Sequence, residues 1–302
     1  MGFELLMQWS APIRPVGWPR PCRAPDPLLA THQGHHLDRS CFRRGRRHAV
    51  HRVTGLDRGE ELHRRPTLGQ PRRPPCLDDG ACHVCVDGHP GDEGRVDAAA
   101  GLAEADRGLA WLGEKLGPYP FDALGFLFVD SESGMETQTM ITLGMTEYTT
   151  STPVLVHEIA HHWWGDLIGP TTWRDLWMNE GMAMYLQGAW MASEEPYTLQ
   201  QLMDYWAQDE PQMRAEAGPA ADYDPATFGE GNAYYSGALM WHEIRGLLGD
   251  REFWRLVREW PQSMPYGSSD YDGIVGWWSR ESGRDLAPVF DAWLLGETSP
   301  PR

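Results

Sequence analysis

Lysine is almost missing: Lys115 is the single one in 302 residues, against 25 arginines. So strong a bias toward arginine marks a GC-rich coding sequence. No apolar run reaches the roughly 18 residues that a transmembrane helix needs, which excludes one. No basic segment followed by an apolar core opens the chain, so no signal peptide is visible. As written, the sequence therefore predicts a cytoplasmic protein; a native N-terminus missing from it would permit a secreted or cell-surface one. Positive charge is scarce, and the formal net charge of -17 argues against nucleic acid or an anionic membrane as partner. There is no G-x-S-x-G nucleophile elbow, no phosphate-binding glycine loop before a helix, and no internal repeat.

What is present divides at about residue 96. Residues 1–100 carry 15 Arg and 12 acidic residues, whereas 101–302 carry 11 basic and 31 acidic ones. All five cysteines (Cys22, Cys41, Cys76, Cys82 and Cys85) lie in the first part, and 13 of the 15 tryptophans in the second. Residues 1–95 show neither a helical period nor sustained alternation, and they are predicted to be irregular and low in order. Out-of-frame translation of GC-rich DNA yields Arg-, Pro- and His-rich text of this kind, and a frameshifted reading is the origin proposed for it. Cys82-His83-Val84-Cys85, with Cys76 and His89 nearby, is half of a zinc-ribbon pattern and lacks its second pair.

From residue 96 to 302 the pattern is that of one folded domain. Leu102, Leu109, Leu112 and Leu116 share a helical face that Gly117-Pro118 terminates. Gly125 to Val129 reads as a strand, and Met135 to Ile141 as a second, edge strand. Thr152 as N-cap and Pro153 at the first position predict a helix over 153–166. A second helix is expected from about Arg174 to Met191, with others near 198–208, 233–248, 251–260, 270–280 and 285–295. The fold class is α+β, mostly helical, with a small sheet on its N-terminal side.

The first of these long helices carries His157-Glu158-Ile159-Ala160-His161, an H-E-x-x-H motif. Residues i and i+4 share a face, so two imidazoles so spaced can both reach one zinc ion. Glu158 then stands beside the metal, where a general base belongs. Glu180, on the next helix, is the expected third ligand. Two His and one Glu leave a fourth position open, the catalytic rather than the structural arrangement. His162 points about 100° away around the helix and carries no expected role. His242 is expected to be an ordinary satisfied histidine, and the tryptophans are expected to be core.

His161 and Glu180 enclose 18 residues. H-E-x-x-H-x18-E, with His162-Trp163-Trp164-Gly165-Asp166, Trp173 to Glu180 and Gly117-Pro118-Tyr119-Pro120-Phe121, resembles the M1 family of gluzincin zinc metallopeptidases. That is the family of aminopeptidase N and leukotriene A4 hydrolase. The resemblance covers about residues 97 to 298. It implies a thermolysin-like catalytic domain, one zinc ion per chain and a peptide substrate. Gly134-Met135-Glu136-Thr137-Gln138 stands where the family has its G-x-M-E-N substrate-anchoring strand, with Thr137 in place of Asn. By resemblance Gly134, Met135 and Glu136 bind substrate, Glu136 through the free α-ammonium. Tyr234-Tyr235-Ser236-Gly237-Ala238 is similar to the family's Y-x-K-G-A, which selects Tyr234 as oxyanion donor and leaves Tyr235 as second choice.

The implied activity is zinc-dependent removal of N-terminal residues from peptides. The alternative is a folded zinc-binding remnant without activity, because nothing in residues 1–95 resembles the family's N-terminal β-sandwich. Its lack predicts an exposed apolar face. Oligomeric state and side-chain preference are open at this level.

Overall fold

In a computed structural model of the chain, residues 104–129, 131, 133–222 and 231–301 are described, with the backbone of 76–78 and 83–85. Two short strands, β1 (Cys76–Asp78) and β2 (His83–Cys85), pair antiparallel. The cysteine side chains of the zinc-ribbon reading lie outside the described residues, as does nearly all of 1–95.

Helix α1 (Ala105–Leu116) buries Ala105, Leu112 and Leu116 and ends where Gly117 adopts φ 94°. A three-stranded sheet follows, from β3 (Gly125–Val129), β4 (Gly134–Met135) and β5 (Met140–Gly144), in the order β3-β5-β4. The expected single strand over Met135–Ile141 is thus two strands. Thr139, at φ 64°, breaks it, and the returning segment becomes the central strand, parallel to β3 and antiparallel to β4. The register gives the sheet two faces. Phe126, Ile141 and Leu143 point into the core, while Leu127, Met135 and Met140 point outward and are exposed.

Helix α2 runs over Thr152–Ala160, capped by Ser151 in extended conformation, so Thr152 is already helical. It ends six residues before the expected Asp166. Trp163 and Trp164 take the chain out of the helix, and their indole N–H groups donate to the carbonyls of Pro118 and Val257 at 3.1 and 3.2 Å. β6 (Ile168–Pro170) and one 3-10 turn over Trp173–Asp175 lead into α3 (Trp177–Glu194). Then come α4 (Leu199–Trp206), α5 (Glu210–Ala217), α6 (Gly231–Leu248), α7 (Asp250–Ser263), β7 (Gly267–Ser269), α8 (Tyr271–Ser282) and α9 (Ala287–Leu294). β6 and β7 pair parallel across some hundred residues of chain. Among the described residues no helix is long and apolar enough to cross a membrane.

The core is aromatic. Trp241 and Trp278 lie 4.7 Å apart between ring centroids, with Trp164, Trp177 and Phe290 around them. Most of the described tryptophans are core side chains, as expected, whereas Trp173 is exposed; the indole N–H groups of Trp163, Trp164 and Trp293 donate to a carbonyl or carboxylate. α3 and α6 form the central pair. They touch at Gly181 and Gly237, where a Cβ on either would lie 2.7 or 2.6 Å from the other's Cα. Only two glycines allow that approach. It falls one residue after Glu180 and three after Tyr234.

Candidate metal centre and active site

Helix α2 is so deeply placed that Val154 to Ala160 are all buried. Its His157 and His161, one turn apart, present their rings to the same point, with centroids 4.8 Å apart. Glu180 reaches that point from the first turn of α3, where the helix dipole favours a carboxylate. Its Oε2 lies 3.1 Å from His157 Nε2 and 3.2 Å from His161 Nε2. Four-coordinate ligands at zinc distances of about 2.0–2.1 Å stand roughly 3.3 Å from one another. Glu180 therefore already stands at ligand spacing from both histidines, and the three donor atoms all lie within 4.8 Å of one another. His161 Nδ1 donates to the Trp164 carbonyl at 3.2 Å, which leaves Nε2 free to ligate. His157 Nδ1 is buried and has no partner among the described residues.

Charge tells the same story. Burial works against a charged His161, but the carboxylates of Glu180 and Glu136 outweigh it and raise its pKa to about 10. Burial likewise opposes ionisation of Glu180, and the two histidines overcome it, holding the carboxyl well below its usual range. Burial lowers the pKa of His157, against the pull of Glu180. A cluster with this many carboxylates demands a cation, and without metal a proton on His161 supplies it. Donor set, spacing and charge all fit a divalent zinc ion.

Glu158 sits beside the ligands, not among them. Its carboxylate, that of Glu136 and the His161 ring form a second close group, with the donor atoms within 4.8 Å of one another. Burial raises its pKa to about 8, and Glu136 and Glu180 add to the shift. Glu136 directly follows β4, one residue beyond the exposed Met135, and lines the same cavity as Gly134 and Glu158. A Cβ at Gly134 would lie 2.5 Å from Glu158 Oε1, so any side chain there would displace this carboxylate. Met135, by contrast, is exposed and forms the rim.

From α6, Tyr234 stacks its ring on His157, 6.0 Å between centroids and 17° from parallel. Burial raises its phenol pKa well above 10, with Glu180 and Glu158 adding to the shift, so the group stays a donor. Tyr235 packs edge-on against Trp206 at 5.3 Å instead. Of the two candidates, Tyr234 is therefore the one stacked on a predicted ligand.

All these groups line one cavity of about 210 Å³. Sequence reasoning missed Tyr148, which lines it from the loop before α2 and raises its phenol pKa through burial and the nearby Glu158. No motif marks that position, since the loop is shaped by Thr149 bonding back to Gly144 and Thr146. His162 turns the other way, with Nδ1 2.9 Å from the Tyr119 hydroxyl and Nε2 3.4 Å from Asp166. His242 lies 3.0 Å from Gln200 on a larger groove of about 820 Å³, where Arg245 and Asp250 already pair with each other.

Residues 102–293 match the peptidase family M1 domain. The chain is 28% identical over 223 residues to aminopeptidase N of Streptomyces lividans, covering 66% of this chain and 26% of that protein. The M1 zinc metallopeptidase of Deinococcus radiodurans, in a variant bound to a Tyr-Ser-Ala substrate, superposes with a TM-score of 0.60 at 23% identity. That match covers 76% of this chain and 52% of the other. Leukotriene A4 hydrolase of Saccharomyces cerevisiae gives a TM-score of 0.59 at 19% identity, over 76% of this chain and 40% of that one. The chain thus spans about a quarter of the curated relative's length and about half of the solved ones. With the family domain covering more than half of its residues, the chain belongs to peptidase family M1.

Proposed function

We propose that this chain is a zinc-dependent aminopeptidase of gluzincin type, holding one zinc ion on His157, His161 and Glu180. The observation that carries the reading is the convergence of those three groups with Glu158, Glu136 and Tyr234 on one buried cavity. Zinc, when bound there, supplies Lewis acidity.

The chain's own groups supply the rest. Glu158, with its proton affinity raised by burial, takes the proton of the attacking water and returns it to the leaving amine. Tyr234 keeps its phenolic proton and donates to the oxyanion that develops on the scissile carbonyl. Glu136 accepts from the substrate's α-ammonium, which sets the cut one residue from the N-terminus. Gly134 and Met135 place that carboxylate. The apolar walls exclude water and strengthen each of these interactions.

The test compares one short peptide with a free and with an acetylated N-terminus. The free form is expected to lose its first residue, and the acetylated form to resist cleavage. Equal cleavage of both would remove Glu136 from its role, and cleavage of neither would remove the activity.

A further inference from the structure

Helix α3 does more than deliver Glu180. Met184, Gln187 and Met191 follow it at i+4, i+7 and i+11, one stripe on one helical face. All of them line the same cavity. Eleven residues at 1.5 Å carry that stripe about 16 Å from the ligand. Across from it stand Leu202, Tyr205 and Trp206 of α4, whose start is fixed by a capping box between Thr198 and Gln201. The result is a trough with sulfur, aliphatic and aromatic walls, whose neutral polar groups come from Gln187 and Tyr205.

Two features fix its width. Trp206 is held edge-on by Tyr235, next to the stacked Tyr234. On its other side lies Gly188, where a Cβ would come within 2.8 Å of the indole and 3.1 Å of Met203. The ring can rest against α3 only because residue 188 has no side chain. No Lys or Arg is among the described residues lining the cavity, whereas Glu136, Glu158 and Glu180 are. At about 210 Å³ the cavity is smaller than the ~300–1,000 Å³ of drug-sized pockets, so it takes a residue or two and not a long segment.

We infer that this trough is a specificity pocket for a large uncharged apolar side chain, of leucine, methionine or phenylalanine type, on a residue flanking the cleaved bond. The inference rests on the peptidase reading of the adjoining centre. An aspartate or glutamate side chain is rejected by the apolar walls, which carry no lysine or arginine among the described residues.

The experiment uses the full chain with zinc and two dipeptide series, Xaa-Ala and Ala-Xaa, where Xaa is Gly, Ala, Leu, Met, Phe, Asp or Arg. Binding is read from tryptophan fluorescence in Glu158→Gln, and cleavage from product release in the unaltered chain. In one series Leu, Met and Phe are expected to bind about 10- to 100-fold tighter than Gly, with Asp weakest. Gly188→Ala pushes the indole into the trough and is expected to penalise Phe more than Ala. Gln187→Arg, on the half-buried wall, is expected to raise Asp relative to Leu. A flat binding profile in both series, or a preference for Asp, overturns the inference at any rate of hydrolysis. Discrimination in binding without hydrolysis of any peptide would sustain the pocket and overturn the catalytic reading instead.

Discussion

A carboxyl group that keeps its proton up to about 8, as Glu158 does, is poised to exchange protons near neutrality. Glu158→Gln preserves the shape and removes the base. Turnover is expected to fall at least 100-fold while zinc content, measured by atomic absorption, stays unchanged. Retained turnover would place the base elsewhere. His161 gives a pH prediction whose sign follows from its raised pKa. Without metal it holds a proton, because Glu180 and Glu136 outweigh burial. Ligation requires that proton to leave, so raising the pH favours the bound form. Apparent zinc affinity is expected to climb about tenfold per pH unit between pH 6 and 8 in competition with a pH-characterised chelator. An affinity flat in pH would mean that no ligand proton is displaced. At this scale the sequence was highly legible, because i, i+4 spacing on a helix fixes which side chains meet. Glu136 was reached only through the family resemblance of Gly134-Met135-Glu136. Tyr148 could not be read, because its place depends on a loop held by threonine hydroxyls.

The element that sets the centre is the crossing of α3 and α6. A methyl group on Gly237 would meet Gly181 Cα at 2.6 Å, and the obstacle is backbone, which cannot rotate away. Gly237→Ala is expected to cost about 1–3 kcal/mol in urea unfolding and to weaken zinc binding, since the helix that moves packs against the one carrying Glu180. Unchanged stability and affinity would show that the crossing has slack. A second lock lies nearby. Arg214 and Glu210, both buried, pair at 2.8 Å. Ser236 donates to Glu210 at 2.7 Å, and Arg214 reaches the carbonyls of Trp293 and Gly296. Removing one member leaves a buried charge unpaired, so Glu210→Ala is expected to cost about 3–5 kcal/mol in the same assay. This lock explains why α5 was illegible in the sequence. Glu210 and Arg214 occupy inward positions beside Met213, so its apolar period is masked by charge. The long helices were legible because their inward faces are Leu, Met and Trp. β6 and β7 were not, because Ile-Gly-Pro and Gly-Ser-Ser carry no alternation and their pairing is set by tertiary contacts. β5 became central rather than edge for the same reason: strand order is a long-range property.

For the molecule as a whole, metal binding at the proposed centre is expected to be coupled to the fold. Every expected ligand is buried, and the ligands come from the two helices that also carry much of the core. Without metal, the buried Glu180 carboxylate depends on a proton held by His161, in a chain that already carries a net charge of -17. Neither burial nor charge leaves that arrangement comfortable. A ligand that binds only the folded state stabilises it by about 4 kcal/mol at a thousandfold excess over its dissociation constant. For a domain of this size about 1 kcal/mol moves the melting temperature by roughly 2–4 °C. A tight chelator is therefore expected to lower the melting temperature of the full chain by about 10 °C, and excess zinc to restore it. The outward sheet face of Leu127, Met135 and Met140 is a separate liability, since unfolding followed by aggregation would make the transition depend on scan rate. The comparison must therefore be made at one scan rate and one concentration. His161→Ala is the decisive control. It removes one ligand and should melt near the chelated wild type with no response to either reagent. A chelator effect of equal size in both proteins would place the stabilising metal somewhere other than the α2–α3 centre.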